Sequence, residues 1–395
     1  MMIPERPALE RRVLTALDGS AGGGPRIPVL LGGCGSGRTS VLLRLRDLLG
    51  RNEAQFIDVE RIATTPERFL QAVRESSPFP AHSYAPSSAP AAGAREAFDA
   101  TLAFFDTARA AGTVPATFLL DEFLELRTFE SFPGLRSVLR DLTTALASSG
   151  NRFVLTTRYA ARAHRLLRDA PAQFEIIHVA PLTAAEIRAT LPGGHAEERG
   201  LASGLDEHER RRDDLARLVQ VLSDGRPSYA RAIAETAAAF AQRGLADPVS
   251  ALAALLAPGG ALTQVCRFSY ELRLHRARGY GALKAILEVL SQEEPLTLTE
   301  IAHRLRRTPG STKDYLSWLE DVDLLLSRQK RYSFADPMLR LWVRLHCRAV
   351  PPTEDDIARE LHAYVMARMP HAEPEAPIGE PDVEREKYSG IIEID

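Results

Sequence analysis

The stretch "LLGGCGSGRTS", residues 30–40, decides the fold. It fits the phosphate-loop pattern G-x-x-x-x-G-K-[ST] at Gly32, Gly37 and Thr39, with Arg38 where lysine belongs. Such a loop needs glycine because backbone N–H groups must turn inward and approach phosphates without interference from a Cβ. It must also lie between a strand and a helix, so that the helix N-terminus faces the anion. Here "IPVLL" (27–31) precedes it and "TSVLLRLRDLL" (39–49) follows. That context predicts a nucleotide cradle made by Gly32, Gly35, Ser36, Gly37, Arg38, Thr39 and Ser40, with the Thr39 hydroxyl on Mg²⁺.

Four further short apolar runs read as strands: "AQFIDV" (54–59), "ATFLL" (116–120), "RFVLT" (152–156) and "FEIIHV" (174–179). Stretches with helical spacing separate them, such as "REAFDATLAFFDTARAAG" (95–112). Alternating strand and helix predicts a three-layer α/β domain with a mostly parallel sheet over residues 1–180. A Pro/Ser/Ala-rich stretch at 76–93 reads as a surface loop within it.

From about 181 the pattern turns helical, with a charged insert at 193–214, and predicts a helical lid over 181–264. Residues 265–348 read as three short helices followed by a hairpin, "SRQKRYSFAD" (327–336), the order of a winged helix-turn-helix. Residues 349–395 read as an acidic tail: from 351 onward twelve acidic residues face four basic ones, leaving the first 350 residues at +5. That excess is too mild to demand nucleic acid. No apolar run approaches the roughly 18 residues that span a bilayer, the N-terminus lacks a signal-peptide core, and three scattered cysteines suit a reducing compartment. A cytoplasmic protein without membrane contact is the expectation.

Two more segments carry chemistry. In "ATFLLDEFLEL" (116–126) an apolar run ends in Asp121, placed to hold the water shell of Mg²⁺, and Glu122, placed to polarise an attacking water. The alternative is that the acidic pair merely caps the next helix. In "RFVLTTRYAARAH" (152–164) the strand ends in Thr156, Thr157 and Arg158, where a polar or cationic side chain can sense a γ-phosphate. "SDGRPSYA" (223–230) opens a helix, and its Gly-x-Pro serves equally as a plain helix start.

Together these segments resemble the archaeal-type ATPases and the STAND branch of AAA+-like P-loop NTPases. "LLDEFLEL" is similar to the family's Walker B segment, "VLTTR" to its sensor-1 segment, and "YSFADPMLRLWVRL" to the end of its winged helix; "PERPALERRVLTAL" is placed like its opening helix. The resemblance implies that Arg158 contacts the γ-phosphate and that Pro227 lies near the adenine. It covers about residues 3–348, and since residues 349–395 are too few to fold one, no nuclease-like domain is expected in this stretch, nor are the repeats or effector domains of such proteins.

Arg38 is the chief departure. Only four of 49 basic residues are lysine, all at or beyond Lys284, so a coding bias toward arginine explains how the change arose. A guanidinium keeps the charge that attracts phosphate, but its planar fork differs from a compact ammonium. Since phosphoryl transfer is catalysed mostly by positioning, the expectation is binding retained and hydrolysis slow, with Glu122, Arg38, Arg158 and Thr157 as catalytic candidates. The leading function is an ATP-binding switch that controls conformation, self-assembly or a protein partner. The runner-up is an ATP-dependent DNA-binding protein using the basic cluster Arg304, Arg306, Arg307 and Lys313, against which stand Asp314, Glu320, Asp321 and Asp323. A P-loop fold with no nucleotide is the third reading.

Overall fold

The computed structural model describes residues 5–19, 24–80, 93–111, 114–191, 202–242, 247–275 and 279–369, with side chains from 209 onward in the helix Ala202–Ser223. Most of the 76–93 stretch, part of the charged insert and the tail beyond 369 therefore lie outside the described residues.

The five expected strands are Ile27–Leu31 (β1), Ala54–Asp58 (β2), Thr117–Asp121 (β3), Arg152–Thr157 (β4) and Phe174–His178 (β5). They form one parallel sheet in the order β2-β3-β4-β1-β5. Alternation along each strand divides the side chains between two cores. Val29, Leu31, Phe118, Leu120, Phe153 and Leu155 point to one face, where helices such as Pro66–Glu75 and Ala94–Thr107 bring a phenylalanine-rich cluster. Leu30, Leu119 and Val154 point to the other, against helices Pro7–Asp18 and Arg38–Leu49. On the first face the Phe118 and Phe153 rings stack at 5.5 Å. Because both faces are covered, β1, β3 and β4 are almost wholly buried and mostly apolar up to their tips, while β2 and β5 at the sheet edges carry polar residues.

The strand order has a direct consequence for chemistry. β4 lies between β1 and β3, so the loop after β1 and the carboxylates after β3 flank the tip of β4. Residues some 84 positions apart are thereby brought together at the C-terminal edge of the sheet, where open α/β sheets place their ligands.

Beyond the sheet, helix Pro227–Ala241 sits in a helical region, and residues 280–334 give helix Tyr280–Gln292, strand Leu296–Thr297 (β6), helices Leu298–Arg304 and Pro309–Asp321, and the hairpin Leu325–Arg328 (β7) with Arg331–Phe334 (β8). The small sheet runs β6-β8-β7. Two expected boundaries change. Position 264/265 falls inside one helix, Ala261–His275, and a single hydrophobic cluster runs from Leu182 to Val365, so the helical region and the C-terminal unit share one core. The expected tail begins with a folded helix, Glu354–Met366, which buries Ile357, Leu361, Tyr364 and Val365 and whose Tyr364 hydroxyl donates to the Leu222 carbonyl at 3.1 Å. Its apolar stripe at i, i+4, i+7 and i+8 was masked by the acidic count of the segment.

Asp336 ties these parts together. It caps helix Pro337–His346 by accepting from the N–H of Met338 and Leu339, and its other oxygen accepts the Tyr229 hydroxyl at 2.7 Å. Both residues are buried. Asp336→Ala removes a cap and a buried charge-assisted bond, so a loss of about 2–4 kcal/mol is expected. Urea denaturation of the variant beside Tyr229→Phe checks this, with the smaller loss expected of the latter.

Candidate functional site

The loop after β1 runs straight into helix Arg38–Leu49. Gly35 and Gly37 adopt φ of 76° and 88°, and a Cβ on Gly32 would stand 2.6 Å from the Ser36 hydroxyl. Only glycine accommodates that turn without strain. The Ser36 hydroxyl is buried and has no hydrogen-bond partner among the described residues. A buried unsatisfied donor inside a glycine loop suits an anion that would accept from it. Thr39 stands in the first turn of the helix and donates its hydroxyl to Asp121 Oδ2 at 2.6 Å, while Ser40 beside it is half-buried. A hydroxyl and a carboxylate oxygen at that spacing form a hard oxygen pair of the kind Mg²⁺ selects.

The tip of β3 supplies the carboxylates. Asp121 is held on its other oxygen by the Thr156 hydroxyl. Glu122 has φ of 54°, a left-handed conformation that is strained for glutamate, and its N–H donates to Thr156 Oγ1 at 3.2 Å. Strain of this kind is retained where the surroundings enforce it, typically at functional sites. Its side chain meets both candidate arginines. Oε1 accepts from Arg38 Nη2 at 2.5 Å and lies 3.2 Å from Arg158 Nε, and Oε2 accepts the Arg158 N–H at 3.0 Å.

Arg38 spends its second amino group on the Gly32 carbonyl, so its fork spans from the loop to Glu122. Arg158 reaches onward to Glu60, on the helical turn Val59–Ile62 after β2. Burial by itself would lower the Arg158 pKa, but the Glu122 carboxylate, with Tyr159 and Glu60, raises it. The guanidinium is therefore a fixed cation. The four groups form a chain, Glu60–Arg158–Glu122–Arg38, along the edge of the sheet.

No protein-family model matches the chain, and no curated protein matches it. Among solved structures it is similar to a Walker-type ATPase of Pyrococcus abyssi, with TM-score 0.59 and 16% identity over 87% of this chain and 96% of that one. The fold is a P-loop NTPase fold, a five-stranded parallel sheet with a glycine loop after β1. Looser likenesses are to the Aeropyrum pernix ORC1 protein in complex with DNA (TM-score 0.42, 16% identity, 93% of this chain and 95% of that one) and to the Thermotoga maritima RuvB branch migration motor (0.40, 13%, 84% and 92%). At such identities only the fold is shared ground.

In this P-loop fold the structure brings together Gly32, Gly35, Ser36, Gly37, Arg38, Thr39, Asp121, Glu122 and Arg158. Thr157 is not with them. It is fully buried and its hydroxyl accepts the Tyr159 N–H at 3.2 Å, while Thr156, one residue earlier, makes the contacts to Asp121 and Glu122. Neighbouring residues on a strand face opposite ways, so an assignment off by one lands on the wrong side. Pro227 begins its helix and packs onto the loop: a Cβ on Gly37 would meet its ring at 3.3 Å, and one on Gly35 would clash with the Ser228 hydroxyl.

The sequence reading missed several contributors. Arg226, inside the Gly-x-Pro segment, donates to the Cys34 carbonyl at 2.9 Å and to Ala335 at 2.6 Å, and stands 3.5 Å from Asp336. Burial would lower its pKa, but Asp336 and its neighbours raise it. Asp323, read as an acid against DNA, instead reaches the phosphate loop. Glu60 carried no local signal at all, since a single glutamate after a strand is unremarked in any sequence. Among the described residues no single helix is long and apolar enough to cross a membrane.

Proposed function

We propose that the protein is an ATP-dependent switch with slow hydrolysis, whose nucleotide state sets how the C-terminal unit sits on the P-loop domain. The observation that carries this is the Glu122 carboxylate held between Arg38 and Arg158, beside the Thr39–Asp121 pair. A glutamate that accepts from the Arg38 guanidinium and the Arg158 backbone N–H, and is ion-paired with the Arg158 guanidinium, is a poor base for water. Phosphates offer those guanidiniums better partners, since Arg binds phosphate bidentately. On this reading Arg38 and Arg158 leave Glu122 when ATP enters, and the glutamate becomes available only then. ATP with Mg²⁺ would supply the labile anhydride and the neutralising charge; Thr39 and Asp121 would hold the ion. Output through a protein partner or self-assembly completes the proposal.

Thermal melts test it: ATP–Mg²⁺ at about 100 times its Kd should stabilise the protein by roughly 2.7 kcal/mol. A melt unmoved by millimolar ATP or ADP would end the proposal. Arg158→Ala sharpens the test, because only ATP offers a γ-phosphate. The variant is expected to lose most of the difference between ATP and ADP affinity, read by titration calorimetry. Discrimination equal to the parent's would reduce Arg158 to a structural partner of Glu122.

A second reading, DNA binding through residues 280–334 acting as a winged helix, draws on one observation. Arg304, Arg306, Arg307 and Lys313 are all exposed, although Arg304 is engaged with Glu293 at 2.5 Å and Arg307 lies over the Tyr315 ring. Two opposing acids are also turned inward: Asp321 pairs with Arg165, and Asp323 faces the loop. If the cluster binds DNA, affinity should fall with a log–log salt slope of about −3 to −4, at about −0.9 per phosphate. Charge reversal at Arg306 and Arg307 should flatten that slope. We expect instead weak binding that vanishes at physiological salt, because the end of helix Pro309–Asp321 is docked on Arg165 and Arg162. Nanomolar ATP-dependent binding at about 150 mM salt, where surface charges are screened beyond about 8 Å, would reverse the ranking.

A further inference from the structure

A loop built to hold phosphate is a strongly attractive place for any anion, and one side chain from the C-terminal unit stands against it. A Cβ placed on Gly33 would lie 2.9 Å from Arg226 Nη1 and 3.5 Å from Asp323 Oδ2. Asp323 follows helix Pro309–Asp321, with its backbone carbonyl accepting from Arg273 Nη1 at 2.8 Å. Its φ of 57° is a conformation that Asn and Gly adopt readily, so the turn by itself has no use for a charge. Burial pushes its carboxyl up to about 6, against the pull of Arg273, Arg226 and Arg38. Two of the three arginines around it, Arg38 and Arg226, are those of the nucleotide loop and the Gly-x-Pro segment.

We propose that Asp323 is an internal anion that the loop holds in place of a nucleotide phosphate, so that a bound phosphate chain and the docked C-terminal unit compete for the same ground. This rests on reading the loop as a nucleotide site. The competition gives the switch its physical coupling: phosphate entering the loop expels a carboxylate fixed to the hairpin β7–β8 and to helix Pro309–Asp321. By linkage, whatever draws the C-terminal unit away tightens nucleotide binding by the same factor. The pair Arg165–Asp321 and the bond from Arg226 to the Cys34 carbonyl remain to hold the unit near the P-loop domain.

Asp323→Asn is the test, since asparagine keeps the shape and tolerates the left-handed backbone while losing the charge. Two readouts are needed. Titration calorimetry of the full chain with ATP and with inorganic pyrophosphate should show affinity raised about tenfold over the parent. Hydrogen exchange of the nucleotide-free variant should be faster than the parent's over residues 30–38 and 319–326. In the parent itself, pyrophosphate should protect 30–38 while raising exchange at 319–326, a check that needs no variant to fold. Unchanged or weaker affinity in the Asn variant overturns the competition. A parent that binds neither ligand overturns the nucleotide reading and the competition with it. The exchange difference without ligand still reports whether Asp323 seats the unit on the loop, so the two failures are told apart.

Discussion

Glu122→Gln is expected to lower single-turnover ATP hydrolysis by about 10²- to 10³-fold, the usual contribution of a positioned general base. ATP should nevertheless bind at least as tightly as to the parent. The reason lies in the ion pairs: Glu122 accepts from the Arg38 guanidinium and lies 3.2 Å from that of Arg158, and the uncharged glutamine frees both for nucleotide phosphates. The same loss leaves the buried Arg38 without its carboxylate and the half-buried Arg158 with Glu60 alone, so the melting temperature of the nucleotide-free protein should fall. ATP should therefore stabilise the variant by more than it stabilises the parent. Nucleotide retained through gel filtration, together with melts with and without ATP, reads all three effects. A variant that hydrolyses ATP at the parental rate would remove Glu122 from the chemistry and leave it as an anchor for the two arginines.

The second large effect concerns Arg38. Replacement by alanine should weaken ATP binding by about a hundredfold, equivalent to about 2.8 kcal/mol at about 1.4 kcal/mol per decade. Replacement by lysine should raise turnover by about tenfold. Arginine here reaches two acceptors at once, the Gly32 carbonyl and Glu122, and so holds the base closed. A lysine ammonium lacks the planar fork and cannot bridge both in the same way. Calorimetry and steady-state phosphate release on the two variants check this. If lysine instead abolishes an activity that arginine supports, the loop is built around the fork, and slow hydrolysis has another origin.

Both predictions depend on contacts that no stretch of sequence displays. The glycine loop was legible at 30–40 because its backbone demands particular residues at particular spacing, and the strand tips at Asp121, Glu122 and Arg158 were legible because an apolar run ends in a charge. That Arg38, Glu122, Arg158 and Glu60 form one chain was not legible, since it follows from β4 lying between β1 and β3. At the tip of β4 the parity of the strand gives the contact with Asp121 to Thr156, while the Thr157 hydroxyl accepts from Tyr159.

The C-terminal half shows the same division. Periodicity placed helices at "LKAILEVLSQ", "TLTEIAHRLRR" and "STKDYLSWLEDVDLLL", and a hairpin after them, because one buried face of each element must repeat at 3.6 or 2 residues. It could not show that helix Glu354–Met366 belongs to that core, since net charge concealed its apolar stripe. Nor could it show that Asp321 and Asp323 turn toward arginines of the P-loop domain and the helical region, where they had read as acids facing DNA. By itself the sequence determined what is local: a glycine loop, buried strands, helical stripes and the charges at their ends. Which of those charges meet was decided only by the tertiary structure, because ion pairs form through space between elements whose order in the sheet and whose docking no local pattern encodes.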